Sequence, residues 1–160
     1  MHLGALVRNF ICYVVWPCVL FATLSTATTA GDREPVLVLQ DMVDGLKGRL
    51  DLPVEVTVAL VPTNPLLVSV SPVRGRTSFQ MSFEEGFLDR LSGEELRTIV
   101  AHELGHVWIY THFPYLQTER GANEIALRVV SRDSLEDVYG KVWSRKAVKM
   151  DLAKYLPAGR

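Results

Sequence analysis

The sequence predicts an α+β domain in which a small sheet lies beside a layer of helices. Segments with alternating apolar residues are confined to residues 52–83, whereas segments with apolar residues at helical spacing lie before and after them. Strands and helices that are segregated along the chain in this way indicate the α+β class. The composition, 48% hydrophobic and 22% charged, is that of an ordinary globular protein, and 160 residues fit one domain.

The first thirty residues differ from the rest of the chain. Arg8 is followed by an apolar run over residues 10–24 and then by small residues that end at Ala30. This order is typical of a secretory signal peptide, with cleavage expected after Ala30 or Ala27. The run is short for a membrane span of about 20 residues, but an uncleaved signal anchor stays an alternative. We therefore expect a protein exported to the periplasm or secreted, or one tethered to the membrane by this segment.

Both cysteines, Cys12 and Cys18, lie inside the apolar run. Removal of residues 1–30 would leave a single domain, residues 31–160, that contains no thiol. That domain can form no disulfide and offers no thiolate ligand to a metal ion. A transition-metal site in it has to be built from histidines and carboxylates.

The elements are predicted in chain order from the periodicity of the apolar residues. Apolar residues at helical spacing over residues 35–50 predict an amphipathic helix that starts near a proline. Alternating residues then predict a strand over 52–61, which is ended by prolines. Two further strands are predicted over 66–71 and 77–83, joined by a turn that contains Gly75.

Three helices are predicted in the second half of the chain, after a short helix or turn over 84–91. Ser92 and Glu95 form a capping box that predicts the start of the first of them, and Pro114 ends it. The other two are predicted over 118–131 and 135–150, with Thr118 and Ser134 as their N-terminal caps.

The first of these helices carries the segment AHELGHVWIY. His102 and His106 are one helical turn apart, so both imidazoles project from the same face, as two ligands of a tetrahedral zinc ion do. Glu103 is offset by one residue, which suits it to accept a proton from a water molecule at the metal. The motif therefore predicts one zinc ion per chain, with Glu103 as the general base of a hydrolytic reaction. Gly105 is expected to leave the space beside the metal open.

A catalytic zinc ion needs a third protein ligand and an open position. His112 lies near the end of the same helix on a different face, and is better interpreted as a surface or rim histidine. Glu119 and Glu124 lie on the following helix, which can fold back across the histidines in a helix hairpin. The spacing alone leaves the choice between these two glutamates open.

The segment SGEELRTIVAHELGHVWIYTH, followed by TERGANEIA, resembles the compact gluzincin metallopeptidases, which include HtpX-like membrane proteases and the CaaX prenyl endopeptidase. The resemblance covers about Pro35–Met150. It implies a minimal, minigluzincin-like zincin domain with a small three-stranded sheet beside the HExxH helix and a following glutamate helix. In the family the second motif is Glu-x-x-Ala-Asp-x-x-Ala, whose glutamate binds zinc and whose aspartate supports a zinc-binding histidine. Glu119 takes the glutamate position and Asn123 the aspartate position, where an amide still accepts a hydrogen bond from an imidazole but adds no charge.

The resemblance also implies a strand that lines the cleft and pairs with an extended peptide substrate. Residues 77–83 are the candidate for this strand, and an ordinary strand of the sheet is the alternative for them. A donor to the oxyanion of the transition state is expected as well, and the candidates are His112, Tyr115 and Tyr139.

The predicted function is that of a zinc-dependent endopeptidase that acts on a peptide or protein substrate. The alternative is a zinc-binding pseudo-peptidase that serves as a protein-interaction module. The intact Glu103 favours the enzyme, whereas Asn123 favours the module. The small domain predicts a narrow substrate range or an accessory protein that completes the cleft.

A net charge of −1 with scattered basic residues excludes a nucleic-acid footprint.

Overall fold

A computed structural model of the chain describes residues 35–146 and 154–156. The elements in chain order are α1 Pro35–Arg49, β1 Glu55–Val61, β2 Val68–Arg74, β3 Ser78–Glu84, α2 Glu85–Leu88, α3 Gly93–His112, α4 Glu119–Ala126 and α5 Arg132–Lys146. This architecture confirms the predicted α+β class with a small sheet beside helices. The predicted signal segment and both cysteines lie outside the described residues. Among the helices described, none is both long and apolar enough to cross a bilayer.

The sheet has the strand order β1-β3-β2, with β3 in the centre. β1 runs parallel to β3, and β2 runs antiparallel to it. β2 continues to Arg74 through residues that the sequence predicts as a turn, with a register shift between Pro72 and Arg74. A proline is tolerated there because β2 lies at the edge of the sheet.

The outer edge of β1 is covered by a side chain of α1. The Gln40 Nε2 donates to the Val56 carbonyl at 2.9 Å, and the Gln40 Oε1 accepts from the Val58 N–H at 3.0 Å. The amide thus acts as one peptide unit of a neighbouring strand, which protects this edge from pairing with another chain. In the described part of the chain, β2 is the other edge strand of the sheet, and its outer edge likewise pairs with no strand.

The core lies between the sheet, α1 and the middle of α3. Its fully buried side chains come from all three layers: Val43, Leu46, Phe79, Met81, Phe83, Val100, Leu104 and Val107. The apolar positions of α1 and of the strands are thus those that the periodicity predicts. α3 is buried through its centre, and it packs against β2 and α4.

Two predicted helix boundaries are wrong. α4 ends at Ala126 rather than near residue 131, because the N–H groups of the next residues turn back in short bonds such as Val129 N–H to the Ala126 carbonyl. α5 begins at Arg132, and its cap is Ser131, whose Oγ accepts from the Ser134 N–H at 3.1 Å. Ser134, the predicted cap, instead donates its hydroxyl to Glu94 at 2.7 Å and ties α5 to the start of α3.

Candidate metal centre

The start of α3, the histidine helix that carries His102 and His106, is fixed by its local sequence. The Ser92 Oγ accepts from the Glu95 N–H at 3.2 Å, and the Glu95 carboxylate accepts from the Ser92 N–H at 2.7 Å. This is the predicted capping box, and it satisfies two N–H groups that the first turn would otherwise leave without partners. α3 then continues for 20 residues and ends before Pro114.

Three potential ligand atoms converge between α3 and α4. The Nε2 atoms of His102 and His106 are 3.2 Å apart. The Glu119 carboxylate approaches them at 3.2 Å and 3.5 Å, respectively. A tetrahedral zinc ion with bonds of about 2.0–2.1 Å places its ligand atoms about 3.3–3.4 Å apart. Both the spacing and the chemistry of these donors therefore fit a zinc ion.

Hydrogen bonds on the far side of each imidazole fix its tautomer. His102 Nδ1–H donates to the Asn123 Oδ1 at 2.7 Å, and His106 Nδ1–H donates to the Gln117 Oε1 at 3.2 Å. An amide oxygen only accepts, so each Nδ1 carries a proton and, in the neutral ring, each Nε2 presents a lone pair. Two lone pairs 3.2 Å apart repel each other unless a cation lies between them.

Gln117 is a residue of this site that the sequence analysis misses. Its Nε2 donates to the His106 carbonyl at 3.1 Å, so the amide is oriented by the same residue that it supports. The only signal in the sequence is a polar amide in the short loop before Glu119, and many loops carry one.

The charges around the site favour a cation. When Nε2 of His102 and His106 carries a proton, it donates to Glu119, and these hydrogen bonds hold the pKa of the Glu119 carboxyl well below its usual range, although burial opposes them. Burial alone would lower the pKa of His106, but its hydrogen bond with Glu119 and the charge of Glu103 raise it. Glu119 is therefore ionised, and the histidine nitrogens lie in a negative potential that attracts positive charge.

Glu103 lies next to this group but is not part of it. Its side chain is buried, and burial raises the pKa of its carboxyl, although the nearby His102 and His106 oppose the rise. The backbone N–H of Val70 in β2 donates to the carboxylate. A carboxylate whose pKa is raised accepts a proton more readily than an exposed one does.

The site lines a cleft of about 540 Å³. β2 forms one wall, with Val68 and Val70, and the helices α3 and α5 supply further apolar residues. The predicted substrate strand, residues 77–83, is β3, and both of its edges are hydrogen-bonded within the sheet. The predicted pairing with a peptide is wrong, since a central strand has no edge for a substrate, although Phe79 of β3 does line the cleft. β2 is the edge strand that borders the cleft.

Three other residues, predicted as possible ligands or oxyanion donors, lie away from the three ligand atoms. His112 is exposed and stacks on Trp108 with ring centroids 4.0 Å apart. Glu124 pairs with Arg120 at 3.4 Å on the exposed side of α4, and Tyr115 is 95% exposed. None of these three side chains lines the cleft.

Tyr139 is the one candidate oxyanion donor that lines the cleft among the residues described. Burial raises the pKa of Tyr139, so the hydroxyl keeps its proton. Its oxygen also accepts from the Asn123 Nδ2 at 2.7 Å, which places it behind His102 as part of the support of that ring.

Gly105 has a different role from the predicted one. A Cβ at this position would overlap the Ala122 carbonyl oxygen and lie 2.9 Å from the Ala122 carbonyl carbon, closer than Cβ atoms approach other atoms in proteins. The glycine thus allows α4 to pack directly on α3, rather than clearing space beside the metal. This close packing brings Glu119 within reach of the two histidines.

The sheet, the histidine helix and the glutamate helix together define a compact metallopeptidase fold of the zincin type. The chain is similar to the metallopeptidase zymogen of Pyrococcus abyssi abylysin, with 17% identity and a TM-score of 0.50 over 71% of this chain and 99% of that one. It is also similar to the zymogen of Methanocaldococcus jannaschii jannalysin, with 16% identity and a TM-score of 0.51 over 69% and 97% of the two chains. No family model and no curated protein sequence matches. At this level of identity the likeness shows the fold alone, and the narrower resemblance to HtpX-like and CaaX prenyl endopeptidases stays a prediction.

Proposed function

We propose that this protein is a zinc-dependent endopeptidase. His102, His106 and Glu119 hold one zinc ion per chain, and Glu103 is the general base. The observation that carries the proposal is the convergence of three ligand atoms, at the spacing zinc requires, beside a buried glutamate with a raised pKa. A bound zinc ion would polarise the peptide carbonyl and make a water molecule easier to deprotonate.

Glu103 moves the proton in this proposal. Its carboxylate accepts the proton of the attacking water and then passes it to the nitrogen of the leaving amine. Burial supports this role because it lets the carboxyl hold the proton between the two steps. The Val70 N–H keeps the carboxylate oriented without neutralising it.

The substrate would bind as an extended peptide along β2. This strand borders the cleft and has an edge that pairs with no strand in the described part of the chain. An added strand gains affinity from main-chain hydrogen bonds and specificity from pockets for alternate side chains. The cleft wall is formed by Val68, Val70, Leu135 and Val138, so apolar substrate side chains are favoured.

A zinc-binding pseudo-peptidase is the second candidate, and Asn123 is the residue that favours it. Its amide still accepts the hydrogen bond from His102. The site therefore keeps the geometry that an aspartate would provide, and Glu103 has no use in a module that does not cleave. Both points favour the enzyme.

Export, or a membrane tether, through residues 1–30 rests on the sequence pattern alone.

A peptide-library assay with zinc analysis on the same sample tests the proposal. We expect about one zinc ion per chain, cleavage of extended peptides with apolar residues, and loss of cleavage when a chelator removes the metal. Protein that binds zinc but cleaves no peptide would support the module. Protein that binds no zinc would contradict both functions. Rapid digestion of casein-like proteins by the isolated domain would count against a narrow substrate range.

A further inference from the structure

Asn123 is fully buried and uses both ends of its amide. Its Oδ1 accepts from His102, and its Nδ2 donates to the Tyr139 hydroxyl at 2.7 Å and to the Tyr155 carbonyl at 2.8 Å. All three contacts come from different parts of the chain. The amide therefore links the metal centre to α5 and to a segment 32 residues further along.

The two groups that accept hydrogen bonds from the Asn123 Nδ2 differ in which end of the amide they can face. The Tyr139 hydroxyl can donate as well as accept, so it would tolerate either end of the amide. The Tyr155 carbonyl only accepts, so it selects the N–H end. Once the N–H end faces Tyr155, the oxygen must face His102. The carbonyl of Tyr155 thus decides the orientation of the amide.

The segment that supplies this carbonyl is Lys154–Leu156. It is held by the side chain of Leu156, which is only 3% exposed, whereas Lys154 points into solvent. The peptide backbone makes the contact with Asn123, while the Tyr155 ring lies against the Tyr139 ring with centroids 6.1 Å apart. The buried Leu156 side chain anchors the segment that carries the carbonyl.

We propose that residues 154–156 are a positioning element of the metal centre. Through the Tyr155 carbonyl they fix the amide of Asn123, and through that amide they hold His102 with its proton on Nδ1 and its lone pair on Nε2. The inference rests on the metal site of the proposed function but not on peptide cleavage. It also explains why an asparagine works at this position: an aspartate would place a carboxylate oxygen against the Tyr155 carbonyl.

This mechanism predicts that Asn123→Asp weakens zinc binding when residues 154–156 are packed in place and strengthens it when they are released. A carboxylate has two acceptor ends, so it supports His102 in either orientation and needs no partner to orient it. With the segment seated, however, its second oxygen repels the Tyr155 carbonyl. With the segment released, that repulsion is gone and the carboxylate becomes the better support.

The test is a double-mutant cycle in the full chain, with zinc affinity measured by competition with a chelator. Leu156→Asp releases the segment and is expected to weaken zinc binding about tenfold, in the range seen when an outer partner of a metal ligand is lost. Asn123→Asp alone is also expected to weaken binding, whereas Asn123→Asp added to Leu156→Asp restores it. Arg49→Gln changes the net charge by the same amount as Leu156→Asp at an exposed position of α1 outside the site, and is expected to leave the affinity unchanged.

A merely structural role for the segment predicts a different result. The two losses would then add, and the double variant would bind zinc more weakly than either single variant. That outcome, or unweakened binding by Asn123→Asp in the intact chain, overturns the proposal. Thermal unfolding of each variant identifies any that do not fold, and Leu156→Ala then replaces Leu156→Asp as the milder change.

A second readout separates this inference from the proposed function. The ¹³C shifts of the His102 ring report its tautomer by NMR in protein treated with a chelator. We expect the Nδ1–H form in the wild type and a mixture of tautomers in Leu156→Ala. If the wild type binds no zinc, the proposed function fails, and the tautomer shift still decides the role of the segment. An unchanged tautomer in Leu156→Ala contradicts it.

Discussion

Replacement of Glu103 by glutamine is expected to abolish peptide cleavage while the protein still binds one zinc ion. The amide cannot accept a proton from water, and loss of a general base lowers rates by about 10²–10⁴-fold. Zinc binding is retained because Glu103 lies outside the group of three ligand atoms. The fold is retained because the glutamine oxygen can still accept from the Val70 N–H.

This prediction is checked by kcat/KM on a cleaved peptide and by zinc affinity on the same preparations. Glu124→Gln is the control, since it makes the same chemical change at an exposed position of α4. It should leave both quantities within about threefold of the wild type. A Glu103→Gln variant that keeps a tenth or more of the wild-type kcat/KM would show that Glu103 is not the base.

Gly105→Ala is expected to give the largest loss of stability among single methyl additions in the described helices. The new Cβ would overlap the Ala122 backbone carbonyl, which cannot move unless α4 moves. Overpacking of this kind costs about 1–3 kcal/mol or more, which exceeds the gain of about 1 kcal/mol from helix propensity. Displacement of α4 would also carry Glu119 and Asn123 away from the histidines.

The free energy of unfolding, measured with urea, and the zinc affinity together check this result. Gly140→Ala is the matched control, because a Cβ at this position in α5 meets nothing within 4 Å. The control should be stabilised by up to about 1 kcal/mol, since alanine favours a helix over glycine. Equal stability of the two variants would show that α3 and α4 are not in close contact at Gly105.

The features that the sequence predicts well depend on residues that are close together in the chain. The capping box at Ser92 and Glu95 involves residues three positions apart, and it locates the start of α3 correctly. The histidine spacing needs only the helical repeat to place both rings on one face. The apolar periodicity likewise predicts α1 and the three strands, because each pattern is read within a single element.

What the sequence does not predict depends on partners distant along the chain. Gln117 supports His106 directly and the Tyr155 carbonyl supports His102 through Asn123, but these contacts follow from how the loop before α4 folds onto α3 and how residues 154–156 fold onto α4. The close approach of Ala122 explains Gly105, and nothing within α3 indicates it. The same limit applies to β3, because only the strand order shows that both of its edges are paired within the sheet.

The central claim is that Glu119 completes the metal site with the two histidines. The most direct test compares the zinc affinities of Glu119→Ala and Glu124→Ala. Both side chains lie on α4 and are about half exposed, at 50% and 52%. Only Glu119 reaches the histidine nitrogens. We expect Glu119→Ala to bind zinc more than about 100-fold more weakly than the wild type, beyond the loss that an outer partner causes, and Glu124→Ala to bind as the wild type does. Equal affinities of the two variants would contradict the account.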